Sequence, residues 1–130
     1  MIVLDASAVL EVLLRTPAGE ALTARVLHPR QALHAPHLLD VEAGQVLRRF
    51  CAHSALAPAR AQEALEDLDA LPIERHEHAL LLPRAWELRA NLSIYDGVYV
   101  ALAELLRAPL VTRDRRLAGA PGHRVRVEVI

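Results

Sequence analysis

The chain opens with MIVLD, four apolar residues closed by an acid, and runs straight into ASAVLEVLL, a segment with helical spacing. An apolar run this short, followed at once by a helix, reads as a strand buried on both faces of a parallel sheet. Parallel strands cannot be joined by hairpins, so each one demands a crossover helix. The rest of the chain supplies that alternation. Thr16 and Pro17 interrupt the first helix, and PAGEALTARVL resumes helical spacing with proline at the permitted first position. ALHAP, residues 32–36, is a second strand, and Leu38, Leu39, Val46, Leu47 and Phe50 mark one face of a helix from His37 to about His53. PARAQEALEDLDAL is a further helix, with Glu63, Glu66, Asp67 and Asp69 on its solvated face, and PIERH is a weak third strand. Residues 82–90 have helical spacing, with Asn91 expected in the left-handed conformation after the helix end. LSIYDGVYVALAELL, residues 92–106, is a strongly apolar helix. APLVTRD and HRVRVEVI close the chain as strands, the last with Val125, Val127 and Val129 on one face. The expected fold is a three-layer α/β/α sandwich with a mainly parallel central sheet of four or five strands, one domain over residues 1–130.

Composition narrows the chemistry. Residues of hydrophobic type make up 53% of the 130, enough for one core without staples. Cys51 is the single cysteine and excludes an internal disulfide. No apolar run approaches the roughly 20 residues that span a bilayer, and Asp5 interrupts what would be a signal peptide's apolar region. The expectation is a cytoplasmic protein without a membrane partner. The net charge is -1, and all 15 basic residues are arginine. Without lysine there is no P-loop lysine, Schiff base or lysine-assisted phosphoaspartate site.

Ligands of open α/β sheets bind beyond the carboxyl ends of the strands, and Asp5 and Asp114 each follow a strand end. Glu42 lies four residues after Leu38 and four before Val46, inside the apolar stripe of its helix. Asp40, in the first turn, reads as a structural complement to the helix dipole. Asp96 has two readings. With Ser93 it fits a capping box, S-x-x-D; it also aligns with Val100 and Ala103 on the inward stripe. Two carboxylates about 5 Å apart repel by roughly 3 kcal/mol at an effective dielectric near 20, so four inward acids need protons or a cation. Hard Mg2+ or Mn2+ suits oxygen donors and can orient a phosphodiester, activate water and stabilise a leaving oxygen. No cluster of cysteine and histidine accompanies these acids, which argues against zinc. His76 and His78 could share a strand face, but without an evident third ligand they read as an exposed turn. Trp86 reads as core or interface.

In order and spacing, IVLDASAVLEVLL, HLLDVEAGQVLRR, LSIYDGVYVALAE and LVTRDRRLA resemble the four motifs of PIN-domain ribonucleases, specifically VapC-type toxins of bacterial toxin–antitoxin pairs. The resemblance runs from end to end. It implies that Asp5, Glu42, Asp96 and Asp114 form an acidic catalytic quartet that binds Mg2+ or Mn2+, with Ser7 and Thr112 as supporting hydroxyls. It further implies an endoribonuclease, a VapB-type antitoxin as partner and a homodimer, for which the apolar helices of the first half offer surfaces. Arg113, Arg115 and Arg116 are candidate RNA contacts. Gly97 departs from the alanine usual in the family, and Asn91 from its glycine. Two other functions fit parts of the pattern. An aspartate-nucleophile phosphohydrolase would also begin with a strand-end aspartate, but it needs a second aspartate where Ser7 stands, and a lysine. A catalytically silent binding module would be expected to lack one of the four acids, and all are present.

Overall fold

The computed structural model describes residues 1–130. Five strands, β1 (Ile2–Leu4), β2 (Leu33–Pro36), β3 (Ile73–His76), β4 (Leu110–Thr112) and β5 (Val127–Val129), form one sheet in the order β3-β2-β1-β4-β5. All four pairings are parallel. The chain winds outward from β1 through β2 to β3, then returns to the other side of β1 for β4 and β5. The order therefore reverses between β1 and β4, which opens a crevice at their carboxyl ends.

Strand pleating divides the core in two. Ile2, Leu4, Leu33 and Val111 face one side, where α1 (Ala6–Leu13), α2 (Glu20–Val26), α3 (Leu38–Ala52) and α4 (Pro58–Ala70) cover them. Val3 and Leu110 face the other side, under α5 (Leu82–Glu87) and α6 (Ile94–Leu106). A short α7 (Arg115–Gly119) follows β4. Leu39 and Leu47 of α3 are fully buried, as the helical spacing requires; each such side chain contributes about 1.5–3 kcal/mol. The sandwich is the expected one.

Several local features differ from the sequence reading. Helix α5 ends at Glu87, and Asn91 is not left-handed. Residues 88–92 continue in tight turns closed by Asn91 N–H to Leu88 O and Leu92 N–H to Leu88 O, so no reversal is needed there. Left-handed residues after helix ends are instead Arg15, φ 54°, after α1, Ser54, φ 55°, after α3, and Arg107, φ 52°, after α6. The last strand is shorter than its alternation suggested, although Val125 and Val127 still pack on the core beneath α6. The apolar helix α1 is not a free surface. Six of its eight residues are buried, because it is enclosed by the sheet, α3 and α4. Exposed apolar side chains lie at Leu27, Val41, Phe50 and Leu65 on and around α2, α3 and α4, and at Leu80, Leu82, Trp86, Tyr95 and Leu105 on and around α5 and α6. Arg89 lies 4.6 Å over the Trp86 ring.

Two interlayer contacts fix the helices that carry site residues. Asp40 accepts a forked pair of bonds from Arg75, Nη2 to Oδ1 at 2.9 Å and Nε to Oδ2 at 3.0 Å, which ties α3 to β3 and leaves Glu42 facing inward. Gly97 lets α5 lie close on α6, since a Cβ there would stand 3.0 Å from the Ala85 Cβ.

Candidate functional site: an acidic cleft at the strand ends

Asp5 ends β1 and caps α1, accepting a hydrogen bond from Ala8 N–H at 3.0 Å. Its Oδ1 also accepts from the Ser7 hydroxyl at 2.6 Å, and its Oδ2 accepts from the Thr112 hydroxyl. These two hydroxyls are in turn held by backbone. Arg113 N–H donates to Ser7 Oγ at 2.9 Å, and Asp114 N–H donates to Thr112 Oγ1 at 2.9 Å. The arrangement locks the loops after β1 and β4 together and fixes one carboxylate at the switch point.

Glu42 arrives from α3 and Asp96 from the first turn of α6. Tyr99, one turn beyond Asp96, donates its hydroxyl to Glu42 Oε1 at 2.7 Å. Sequence reasoning missed Tyr99; its place three residues after Asp96, on the same helix face, was the available signal. Asp114 stands at the start of α7, where Arg116 grips it through Nε to Oδ1 at 3.0 Å and Nη2 to Oδ2 at 2.6 Å. All four acids, with Ser7, Tyr99, Arg113 and Arg116, line one cleft of about 660 Å³. Thr112 lies just beneath it, fully buried. A cavity of about 770 Å³ at the opposite ends of the strands is lined by Arg84, Arg107, Arg124 and Arg126 and contains none of the four acids.

Only half of the capping box at Asp96 is made. Ser93 Oγ accepts from the Asp96 backbone N–H at 3.1 Å, but the Asp96 carboxylate does not return a bond to the Ser93 backbone. Its side chain lines the cleft.

The electrostatics separate the acids. Burial pushes Asp5 above the usual carboxylate range against the opposing pull of its hydroxyl donors. Burial likewise raises Glu42, eased by the Tyr99 hydroxyl and reinforced by the charges of Asp5 and Asp96. Asp96 is raised by burial, which the Ser93 hydroxyl partly offsets, and by Asp114. Asp114 goes the other way, held low by its hydrogen bonds from Arg116. No ion pair forms at Asp5, Glu42 or Asp96, and no three of the acids bring carboxylate oxygens within 4.8 Å of one another. The cleft is an all-oxygen donor set in excess negative charge. Such a set fits a hard divalent cation, which would draw the carboxylates together.

Of the predicted arginines, Arg116 is engaged with Asp114 and Arg113 lies 3.7 Å from Glu11, while Arg115 is exposed on α7. The histidine reading changes. His76 and His78 do not converge, because His78 Nε2 accepts from Leu38 N–H at 2.9 Å. His76 instead meets His34 and Glu74, and one potential ligand atom from each lies within 4.8 Å of the others. That group could hold a divalent metal, outside the acidic cleft.

The raised acids have a consequence for stability. Between the ordinary carboxylate range and their higher folded values, the native state holds more protons than the unfolded chain, so these groups make stability fall as pH rises through that window. Asp114, with a depressed value, contributes in the opposite sense. Glu42→Gln removes one raised group while keeping an acceptor for Tyr99. In chelator, its melting temperature should drop less between about pH 4.5 and pH 7 than that of the wild type. Parallel melting curves for the two proteins would show that Glu42 is not desolvated in the cleft.

A family model described as PIN domain matches residues 2–122. Ribonuclease VapC9 of Mycobacterium tuberculosis is 46% identical over 118 residues, covering 91% of this chain and 89% of that protein. Ribonuclease VapC12 of the same organism is 38% identical over 130 residues, covering 100% and 99%. The DNA-bound VapBC crystal structure from Salmonella typhimurium superposes with a TM-score of 0.73 at 18% identity, covering 99% of this chain and 98% of that one, a likeness of fold.

Proposed function

Since the chain belongs to the PIN-domain family, among its VapC-type ribonucleases, we propose that it is a divalent-metal-dependent endoribonuclease and the toxin of a toxin–antitoxin pair. The observation that carries the reading is the convergence of Asp5, Glu42, Asp96 and Asp114, from four separate elements, on one cleft. In this reading Asp5, Glu42 and Asp96 hold Mg2+ or Mn2+. Asp114 joins them when Arg116 turns outward to a phosphate. Ser7 and Thr112 aim the Asp5 carboxylate and favour its ionised form against burial, and Tyr99 does the same for Glu42. A bound ion of this kind offsets charge on the phosphodiester and its leaving oxygen and lowers the pKa of a nearby water.

Arg113, Arg115 and Arg116 flank the cleft and supply fork-shaped donors for RNA phosphates. Aromatic residues are 3% of the chain, so recognition rests on backbone and shape more than on base stacking. The partner in this reading is a VapB-type antitoxin that covers the cleft. The exposed apolar residues of α5 and α6 support a homodimer. No helix is long and apolar enough to cross a membrane.

The test is a substrate comparison. With Mg2+ or Mn2+ present, the purified chain should cut single-stranded RNA internally and leave a small phosphomonoester such as p-nitrophenyl phosphate intact. Hydrolysis of the monoester with RNA untouched would support the phosphohydrolase instead. Inactivity on both, together with harmless overproduction in cells of a folded chain, would support the silent module.

A further inference from the structure

The cluster at the edge of the sheet has a chemistry of its own. In the register of β2 with β3, His34 stands opposite Glu74, and His76 lies two residues further along β3. Side chains of a strand alternate between faces, so Glu74 and His76 share a face, and His34 joins them from the neighbouring strand. His34 Nδ1 lies 3.0 Å from His76 Nε2 and 3.5 Å from Glu74 Oε2, and His76 Nε2 lies 3.9 Å from Glu74 Oε1. Atoms about 2.0–2.1 Å from a tetrahedral ion stand about 3.3 Å apart, so the spacing of the two imidazole nitrogens, and of each to the nearer carboxylate oxygen, is within an ångström of that between ligands of one ion.

His34 is only 7% exposed, and its Nε2 is buried without a hydrogen-bond partner. The polar contacts of this buried ring are therefore all with His76 and Glu74. Burial also holds the ring in the neutral form that binds metal. Glu74 is exposed and can adjust. Two imidazoles and one carboxylate are a poor set for Mg2+ and a good one for the later first-row metals.

We propose that His34, Glu74 and His76 form a second metal site that takes Zn2+ or a neighbouring transition-metal ion and fastens the edge strand β3 to β2. Three protein ligands leave the fourth position for water. The site is chemically separate from the acidic cleft, and its existence does not depend on the ribonuclease reading.

The experiment uses the untagged chain, stripped of metal, with excess Mg2+ to occupy the all-oxygen cleft, and Co2+ as a spectroscopic probe. The expected result is an intense visible spectrum of four- or five-coordinate Co2+ that saturates at about one ion per chain and is erased by Zn2+. His76→Gln and Glu74→Gln should each weaken binding by about tenfold or more. Both positions are less buried than His34, and circular dichroism checks that the variants fold. Zn2+ should raise the melting temperature of the wild type by more than that of His76→Gln. A spectrum that persists with the same affinity in both variants would place the ion elsewhere and overturn the proposal. So would a wild type that shows only the faint spectrum of six-coordinate Co2+.

Discussion

Asp96→Asn is expected to reduce RNA cleavage by orders of magnitude while the metal-free protein melts no lower than the wild type. The helix cap does not use the carboxylate: Ser93 Oγ accepts from the Asp96 backbone N–H, and asparagine keeps that amide. Losing a cap costs about 1 kcal/mol, but this substitution does not remove one. What it removes is a charge that burial and Asp114 disfavour. Relief of that repulsion raises or preserves stability, whereas the loss of a ligand oxygen weakens cation binding. Thermal melting in chelator and in Mg2+, beside an RNA cleavage assay, reads both effects. A variant that is less stable yet active would return Asp96 to the role of a helix-starting residue and remove it from the proposed quartet.

Removing divalent metal should abolish cleavage completely, and readdition of Mg2+ or Mn2+ should restore it. The physical ground is the charge imbalance of the cleft. Asp5 and Glu42 are desolvated, neither has an ion-pair partner, and Arg116 serves Asp114. A cation that binds only the folded state stabilises it by about 2.7 kcal/mol at one hundred times its dissociation constant, so Mg2+ should raise the melting temperature. It should also flatten the decline of stability with rising pH, because the three raised acids would then be ionised against a cation. The Asp96→Asn variant should gain less from Mg2+ than the wild type. Cleavage that persists in excess chelator would rule out a metal in the reaction.

The layered fold was legible because its signals are local. An apolar tetrapeptide followed by a helical pattern reads as a buried strand with a crossover, and repetition of the pair leaves few topologies. Glu42 could be assigned inward because helix periodicity fixes which residues share a face. The same locality set the limits. Asn91 was a reasonable helix terminator by type, but its conformation follows from how α5 runs into α6. Of the apolar helices in the first half that were expected to offer surfaces, α1 is enclosed by the sheet, α3 and α4, while Leu27, Val41, Phe50 and Leu65 on and around the others are exposed. The final strand alternated over more residues than actually pair, because alternation records burial on one face and pairing needs a neighbour.

Local pattern alone was enough to put Asp5 and Asp114 at strand ends and Glu42 on the inward stripe of its helix, because strand ends and helix stripes are properties of neighbouring residues, and it left Asp96 between a helix cap and an inward acid. Tertiary structure alone decided what those acids meet. Tyr99 reaches Glu42 across 57 residues of chain, and Thr112 reaches Asp5 across 107. Arg116 turned out to hold Asp114, and His34 to join His76 across 42 residues. These contacts depend on strand order and register, which are set by the packing of whole faces, and no local pattern encodes which two distant faces will be pressed together.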